Sequence, residues 1–190
     1  MTALNGLDKL YEKRLSLGEM SNRDREQLDA LHASRFTCLL EDVRSLFNVG
    51  SILRTADGAG AGAVFLSGVT GCPPHRQIAK ASLGAEESVA WQYHLGAIAI
   101  LRELKRVGVQ IVGLESTKES VLLSQAITEG LLHAPVCLVV GNEVMGLSAE
   151  TSALCDIVCH LPMRGMKESL NVAVAFGIAS YMIVEALGHK

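Results

Sequence analysis

Three segments of this sequence combine polar side chains with a spacing that suits ligand chemistry. The first, NVGSILR, places Asn48 at the start of a predicted helix and Arg54 about two turns further along it. The second, VGNEVMG, follows an apolar run, and its glycines let the backbone approach a ligand beside Glu143. The third, LPMRGMKESLN, leads into an apolar helix whose N-terminal amides suit a carboxylate or phosphate. The second and third segments predict a ligand site between Gly141 and Asn171.

Each of these polar residues also has a purely structural interpretation. Asn48 and Ser169 are of the types that cap helices, and Arg54 is of a type that is common on helix surfaces. Glu143 and Asn171 stand beside long apolar runs, where a simple turn or helix start does not require them. The functional interpretation is therefore favoured for the second and third segments. Both interpretations stay open for the first segment and for Ser169 itself.

Three other patterns give weaker indications of chemistry. Residues 58–63 read GAGAGA, the glycine spacing of a dinucleotide-binding loop, but they close a predicted helix instead of opening one, which favours a helix C-terminal turn. Cys155, Cys159 and His160 lack the second ligand pair of a structural metal site, so we predict buried thiols and no metal. The sequence has no G-x-S-x-G elbow, which makes hydrolase chemistry a weak fit.

The elements that must position these segments follow from composition and periodicity. Hydrophobic residues make up 49% of the chain and aromatic residues 4%, which indicates the aliphatic core of an α/β protein. Apolar runs predict strands or extended chain at 37–41, 63–67, 88–93, 109–114, 136–140 and 157–161. Helical spacing predicts helices at 49–59, 76–83, 97–107, 122–129, 149–154 and 171–187. This alternation predicts a parallel sheet covered by helices on both faces.

Ligands of such sheets bind beyond the carboxyl ends of the strands, so the loops after Glu41, Leu114, Val140 and Leu161 are expected to form the site. The 190 residues suit one compact domain at 36–190, preceded by a charged helical extension at 1–35. The net charge of −3 excludes a global basic field, so nucleic-acid contacts must come from a local cluster or a dimer groove.

The terminal segments and the cysteines indicate a cytoplasmic protein. The start of the chain lacks the features of a secretory signal or a transit peptide. The five cysteines are odd in number and most lie in apolar runs, which predicts free thiols in a reducing compartment. The apolar helix near the end is shorter than the ~20 residues that a membrane span requires. We therefore expect the core and a partner subunit to bury it.

In order and spacing, the segments NVGSILRTA, VGNEVMGL and LPMRGMKESLNVAVA resemble the three motifs of the SpoU/TrmH family of RNA ribose methyltransferases. The resemblance covers residues 36–187. It implies the SPOUT fold, in which the C-terminal part of the parallel sheet forms a trefoil knot that binds S-adenosylmethionine, in an obligate homodimer. The implied activity is methylation of a ribose 2′-hydroxyl of RNA, and the shortness of the extension favours tRNA slightly over rRNA. Two alternatives are a non-catalytic RNA-binding protein with this fold and a small-molecule nucleotide enzyme of ordinary doubly wound topology.

The resemblance also assigns roles to residues by position. The implied catalytic residues are Asn48, Arg54, Glu143, Ser169 and Asn171. The implied cofactor-binding residues are Leu114, Glu115, Ser116, Gly141, Asn142, Gly146, Leu161, Met163, Ser169 and Leu170. Cations that flank the site loops are candidates for RNA binding, with solvated surface charge as the alternative: Arg44, Arg54, Arg76, Lys80, Arg164 and Lys167.

The arginine that Arg54 resembles is sometimes described as a base that a substrate phosphate assists. A guanidinium normally only donates hydrogen bonds, so stabilising the developing alkoxide while gripping the phosphate is the more conservative role. Glu143 beside such a cation would be held ionised and weakly basic, which favours an organising role for it.

Overall fold

The computed structural model describes residues 21–23 and 34–188, which include a seven-stranded sheet and the helices that cover it. The helical extension predicted for 1–35 lies outside the described residues apart from 21–23 and 34–35. The strands are β1 (Phe36–Glu41), β2 (Val64–Ser67), β3 (Trp91–His94), β4 (Gln110–Leu114), β5 (Val121–Leu122), β6 (Val136–Val140) and β7 (Ile157–His160). The helices are α1 (Leu46–Gly58), α2 (Arg76–Ser82), α3 (Ala85–Ser88), α4 (Ala97–Arg106), α5 (Leu123–Thr128), α6 (Ala149–Leu154) and α7 (Val172–Leu187).

The strands of the sheet run parallel to one another, in the order β3-β2-β1-β6-β4-β7-β5. Strands β1 and β6 are buried along their whole length because helices cover both faces, which explains their continuous apolar runs. Within β1, Cys38 and Leu40 enter the core on one face of the sheet, and Leu39 enters the core on the other. The parallel arrangement brings the carboxyl ends of all strands to one edge.

Helices cover both faces of the sheet, as predicted. On one face, side chains of α1, α2, α5 and α7 form the larger core, with Ile52 and Phe176 fully buried there. On the other face, Ile100 and Leu101 of α4 pack against Phe65. Helix α7 leaves Val174, Ile178 and Tyr181 exposed at 51%, 43% and 50%, on the side away from its buried residues. In the described part of the chain, no helix has the length and apolar composition needed to cross a membrane.

Most element boundaries differ from the prediction by a residue or two, and three differences are larger. Helix α1 begins at Leu46 because Ser45 caps it, with its hydroxyl accepting from the amide of Asn48. Asn48 therefore lies in the first turn, and the interpretation of Asn48 as the helix cap is wrong. The segment predicted as extended at 88–93 contains the last residue of α3 and most of β3. The short elements α3 and β5 were not predicted, because so few residues carry no periodic pattern.

The GAGAGA run closes a helix, as predicted. The amide of Ala59 donates to the carbonyl of Thr55 at 2.8 Å, and that of Ala61 donates to the carbonyl of Ala56 at 2.9 Å. Gly60 between them has a φ of 70°, a left-handed conformation that glycine adopts at little cost. The run is therefore a helix C-terminal turn, and it does not open a helix as a dinucleotide-binding loop would.

Residues 21–23 run along the outer side of edge strand β3. Ser21 and Gln92 form an antiparallel bridge. The amide of Trp91 donates to the side-chain oxygen of Asn22 at 2.9 Å, and the carbonyl of Trp91 accepts from the hydroxyl of Ser21 at 3.0 Å. The side-chain amide of Asn22 also donates to the carbonyl of Val89 at 2.7 Å. This short segment therefore covers part of the sheet's open edge.

Glu41, at the end of β1, holds the start of α6. The residue is 7% exposed, and its carboxylate accepts from the amide of Ser148 at 3.0 Å, from the hydroxyl of Ser148 at 2.8 Å and from the hydroxyl of Thr151 at 2.6 Å. We expect Glu41→Gln to lower the free energy of unfolding by about 1–3 kcal/mol, because one carboxylate oxygen becomes an NH2 group that cannot accept. Urea unfolding measures this loss. Glu150→Gln, on the exposed side of α6, is the control, and equal effects of the two changes would contradict the assignment.

Candidate active site

A pocket lies at the edge of the sheet where the strands have their carboxyl ends. Its walls include every position that the family resemblance assigns to the cofactor. They comprise residues 114–116 after β4, residues 140–144 and Gly146 after β6, residues 160, 161 and 163 at the end of β7, and residues 168–170, 172 and 175. Three of the four predicted loops therefore line the pocket directly. The fourth, after Glu41, reaches it through Glu143.

Glu143 connects the loop after β6 to the loop after β1. Its carboxylate accepts from the backbone amides of Arg44 at 3.0 Å and Ser45 at 2.9 Å, and from the side-chain amide of Asn48 at 2.9 Å. Partial burial acts to raise the pKa of Glu143, but the hydrogen bonds from these groups outweigh it and hold the pKa below its ordinary value. The carboxylate is therefore ionised at neutral pH and is a weak base.

Asn48 also forms a hydrogen bond with the third motif. Its side-chain oxygen accepts from the side-chain amide of Asn171 at 3.1 Å. Residues from all three motifs are thus joined in one hydrogen-bonded chain that runs from Glu143 through Asn48 to Asn171. Such a chain fixes the relative positions of loops that are far apart in the sequence.

Asn171 also caps helix α7. Its side-chain oxygen accepts from the amides of Ala173 at 2.9 Å and Val174 at 3.3 Å. Two of the N-terminal amides are thus already bonded, so the expectation that they are available to a carboxylate or phosphate is wrong for this pair. The structural interpretation of Ser169 as the helix cap is wrong as well, because Asn171 occupies that position. Ser169 is exposed and lines the pocket.

The turn after β6 is held by backbone and side-chain bonds. The amide of Asn142 donates to the carbonyl of Gly146, and the amide of Gly146 donates back, at 3.0 and 2.9 Å. The side-chain oxygen of Asn142 accepts from the amides of Val144 and Met145 at 2.9 and 3.0 Å. Gly146 has a φ of 69°, and a Cβ there would meet the carboxylate of Glu115 at 2.2 Å. The turn is therefore closely packed and needs glycine at this position.

The charges of the site are separated in space. Among the described residues, the pocket lining contains Glu115, Glu143 and Glu168 and neither lysine nor arginine. The candidate RNA-binding cations are all exposed. Arg44, Arg164 and Lys167 are next to loop residues of the site in the sequence, whereas Arg76 and Lys80 lie on α2, which contributes no residue to the pocket lining. The pocket lining itself is thus acidic, and three exposed cations are adjacent in sequence to its loops.

Arg54 stands apart from the pocket. It is exposed on α1 and is not part of the lining. It lies six residues after Asn48, which places the two side chains about 120° apart around the helix and about 9 Å apart along it. The structure therefore brings Asn48, Glu143 and Asn171 together but does not bring Arg54 to the same place within one chain.

Sequence reasoning missed several residues of the site. His160, Glu168, Val172 and Ala175 line the pocket without having been assigned to it, as do Val140 and Val144. His160 was considered only as a metal ligand, although its place at the end of a predicted strand was the signal that could have found it.

The cysteines add no nucleophile: all five are free, and burial raises the pKa of Cys137 and Cys155 to about 12.

The parallel sheet and the acidic pocket at its carboxyl edge identify an α/β protein that binds its ligand at the ends of the strands. The model of the SpoU rRNA Methylase family matches residues 35–181. The chain is 33% identical over 159 residues to the 23S rRNA (guanosine-2'-O-)-methyltransferase RlmB of Ralstonia nicotianae, across 84% of this chain and 62% of that protein. The chain therefore belongs to the SpoU rRNA Methylase family. It spans less than two thirds of the length of this relative.

Solved structures agree with this membership. An AdoMet-bound rRNA methyltransferase from Sinorhizobium meliloti matches with a TM-score of 0.74 at 29% identity, over 83% of this chain and 60% of that one. The TrmH/SpoU tRNA modifying enzyme of A. aeolicus matches with a TM-score of 0.71 at 28% identity, over 85% of this chain and 82% of that one. The fold is that of the SpoU methyltransferases, and the likeness supports the C-terminal knot that the family resemblance implies.

Proposed function

We propose that this protein transfers a methyl group from S-adenosylmethionine to a ribose 2′-hydroxyl of RNA. The observation that carries the proposal is the acidic pocket at the carboxyl edge, joined to the polar chain Glu143–Asn48–Asn171. A pocket with three glutamates and no described lysine or arginine in its lining suits a ligand with positive charge. It does not suit the phosphates of a dinucleotide, which argues against the small-molecule nucleotide enzyme.

The lining fits this methyl donor in its apolar parts as well. Leu114, Leu161, Met163 and Leu170 present aliphatic surface of the kind that packs against an adenine ring, and Gly141 and Gly146 allow backbone to come close. When bound, the donor supplies an electrophilic sulfonium methyl group. We assign Leu114–Ser116, Gly141, Asn142, Gly146, Leu161, Met163, Ser169 and Leu170 to its binding. In this assignment Glu143, Asn48 and Asn171 position the loops at the mouth, and Ser169 contributes a hydroxyl.

A homodimer is part of the proposal, and the exposed face of α7 is the surface that supports it. Val174, Ile178 and Tyr181 follow one another at helical spacing, and each is at least 43% exposed. An isologous contact through this face would bury it. Because Arg54 lies outside its own pocket, we infer that it acts in the pocket of the partner, where it stabilises the alkoxide that forms on the 2′-oxygen.

RNA is the proposed acceptor, with rRNA ahead of tRNA. The cations next to the site loops suit phosphates, while the acidic pocket between them suits the donor. The preference for tRNA that the short extension suggested has no support in the curated relative described above, which is an enzyme of 23S rRNA. The free thiols agree with a cytoplasmic location, which we also propose.

Incubation of the protein with labelled S-adenosylmethionine and either rRNA or total tRNA tests this function. We expect label in rRNA, at a nucleotide whose ribose then resists alkaline cleavage on its 3′ side. Label on a base would contradict the assignment to the 2′-hydroxyl. Donor binding by calorimetry without transfer to either RNA would favour the non-catalytic RNA-binding alternative.

Glu143→Gln tests the organising role of this carboxylate. We expect about a tenfold loss in the single-turnover rate, because glutamine keeps one accepting oxygen and loses the other. Since the pKa of Glu143 is lowered, its bonds persist at neutral pH and are lost only as pH falls below about 4.3, the ordinary value for glutamate. The ratio of the donor affinities of the wild-type protein and Glu143→Gln should therefore stay constant from pH 8 to 5. A larger loss than that of Arg54→Ala would instead identify Glu143 as the base.

A further inference from the structure

His160 is a pocket residue whose side chain has a defined partner on one side. Its Nδ1 lies 3.0 Å from the hydroxyl oxygen of Ser120. Ser120 directly precedes β5, whose Leu122 pairs with His160 of β7. The contact therefore ties the end of β7 to the loop between β4 and β5. Residues 115 and 116 of that loop also line the pocket.

The contacts of Ser120 are the basis for assigning the ring proton of His160. The hydroxyl of Ser120 donates to the carbonyl of Thr117 at 2.9 Å, and it accepts from the amide of Thr117 at 3.0 Å. A serine hydroxyl has one hydrogen, and the carbonyl uses it. On this basis we assign the proton to Nδ1 of His160, which then donates to the serine oxygen. In the neutral ring this leaves Nε2 as a hydrogen-bond acceptor.

Nε2 forms no hydrogen bond with the residues that the structure describes, although Nδ1 is fully engaged. The pocket also contains carboxylates: Glu115 accepts from the amide of Leu147 at 3.0 Å, and Glu143 accepts from the amide of Ser45 at 2.9 Å. An ammonium group on a ligand would prefer a carboxylate to a neutral imidazole. The acceptor of His160 is therefore suited to a neutral donor group.

We propose that His160 is a specificity residue of this pocket, held by Ser120 and accepting through Nε2 a hydrogen bond from the nucleoside part of the methyl donor. A ribose hydroxyl and the 6-amino group of adenine share the required chemistry. The inference rests on the proposed function, since it assumes that the donor occupies this pocket. The alternative is that His160 only fastens the loop.

Two substitutions separate these roles. His160→Asn keeps an amide that can donate to Ser120 but has no acceptor where Nε2 lies. His160→Gln reaches further and offers an acceptor there, while it lacks the donor at the place of Nδ1. If His160 recognises the ligand, the asparagine variant should melt at the wild-type temperature and bind S-adenosylhomocysteine about tenfold more weakly. The glutamine variant should bind it more tightly than the asparagine variant does.

Calorimetry with four compounds completes the test: S-adenosylhomocysteine and its 2′-deoxy, 3′-deoxy and N6,N6-dimethyl analogues. We expect one analogue to bind the wild-type protein about tenfold more weakly than the parent compound, and to bind His160→Asn as well as the parent does. The analogue that behaves so identifies the group that His160 contacts. Equal discrimination by wild type and variant would overturn the role of His160 alone. If the parent compound does not bind the wild-type protein, the proposed function fails and this inference fails with it.

Discussion

Arg54→Ala is expected to lower the rate of methyl transfer to RNA by about 1,000-fold, because the alkoxide that forms on the 2′-oxygen loses its cationic donor. Affinity for S-adenosylhomocysteine should be unchanged, since Arg54 is outside its own pocket and its proposed contact in the partner's pocket is with the 2′-oxygen of RNA. Single-turnover transfer and calorimetry measure the two quantities. Arg102→Ala, on the exposed side of α4, is a matched control that removes the same charge from a helix that does not line the pocket. Substantial transfer activity in Arg54→Ala would refute the assignment.

Mixed dimers test whether Arg54 acts in the pocket of its own chain or in the pocket of the partner. Co-expression of Arg54→Ala with Asn171→Ala, under two affinity tags, yields dimers that carry one change in each chain. If Arg54 acts across the interface, one site of each mixed dimer has both residues and the other site lacks both, so activity returns. If Arg54 acts within its own chain, each site lacks one residue and activity stays low. The second result would contradict our assignment of Arg54 to the partner's pocket.

Gly141→Ala is expected to reduce donor affinity by about 100-fold, because the turn after β6 must move. A Cβ at this position would lie 2.3 Å from the carbonyl carbon and oxygen of Gly146 and 2.5 Å from the amide nitrogen of Leu147. These are backbone atoms, so no side-chain rotation relieves the contact. We also expect a loss of about 1–3 kcal/mol in the free energy of unfolding. Calorimetry with S-adenosylhomocysteine and urea unfolding measure the two effects.

Gly165→Ala is the matched control in the neighbouring loop. A Cβ there has no atom within 4 Å, so the change should leave both stability and donor affinity close to wild type. If Gly141→Ala binds the donor as tightly as Gly165→Ala does, the turn after β6 does not contact the donor. Loss of stability without loss of affinity would lead to the same conclusion.

The sequence allowed most of the fold and much of the pocket to be predicted, for reasons that particular elements make clear. Runs such as Val136–Val140 are buried on both faces of a parallel sheet, so every residue in them is apolar and the run is recognisable in the sequence. The pocket follows from the rule that ligands bind at the carboxyl edge. The two-residue strand β5 escaped prediction because it carries no periodic pattern.

Contacts between distant residues could not be read from local patterns. Glu143 and Asn48 meet because β1 and β6 are neighbours in the sheet, and sequence spacing does not encode that order. Asn171 caps its own helix and bonds to Asn48 as well, although either role alone would explain an asparagine there. The isolation of Arg54 from its own pocket is likewise visible only in three dimensions.

The cover that residues 21–23 provide over β3 has a consequence for self-association. An open sheet edge presents unpaired amides and carbonyls on which another chain can add a strand, and this is a common route to aggregation. Here the side chains of Ser21 and Asn22 already occupy the backbone groups of Trp91. At the opposite edge, β5 has two residues and offers little length for pairing. Growth of the sheet from molecule to molecule is thereby discouraged at both margins, and the dimer contact that we propose through α7 uses neither of them.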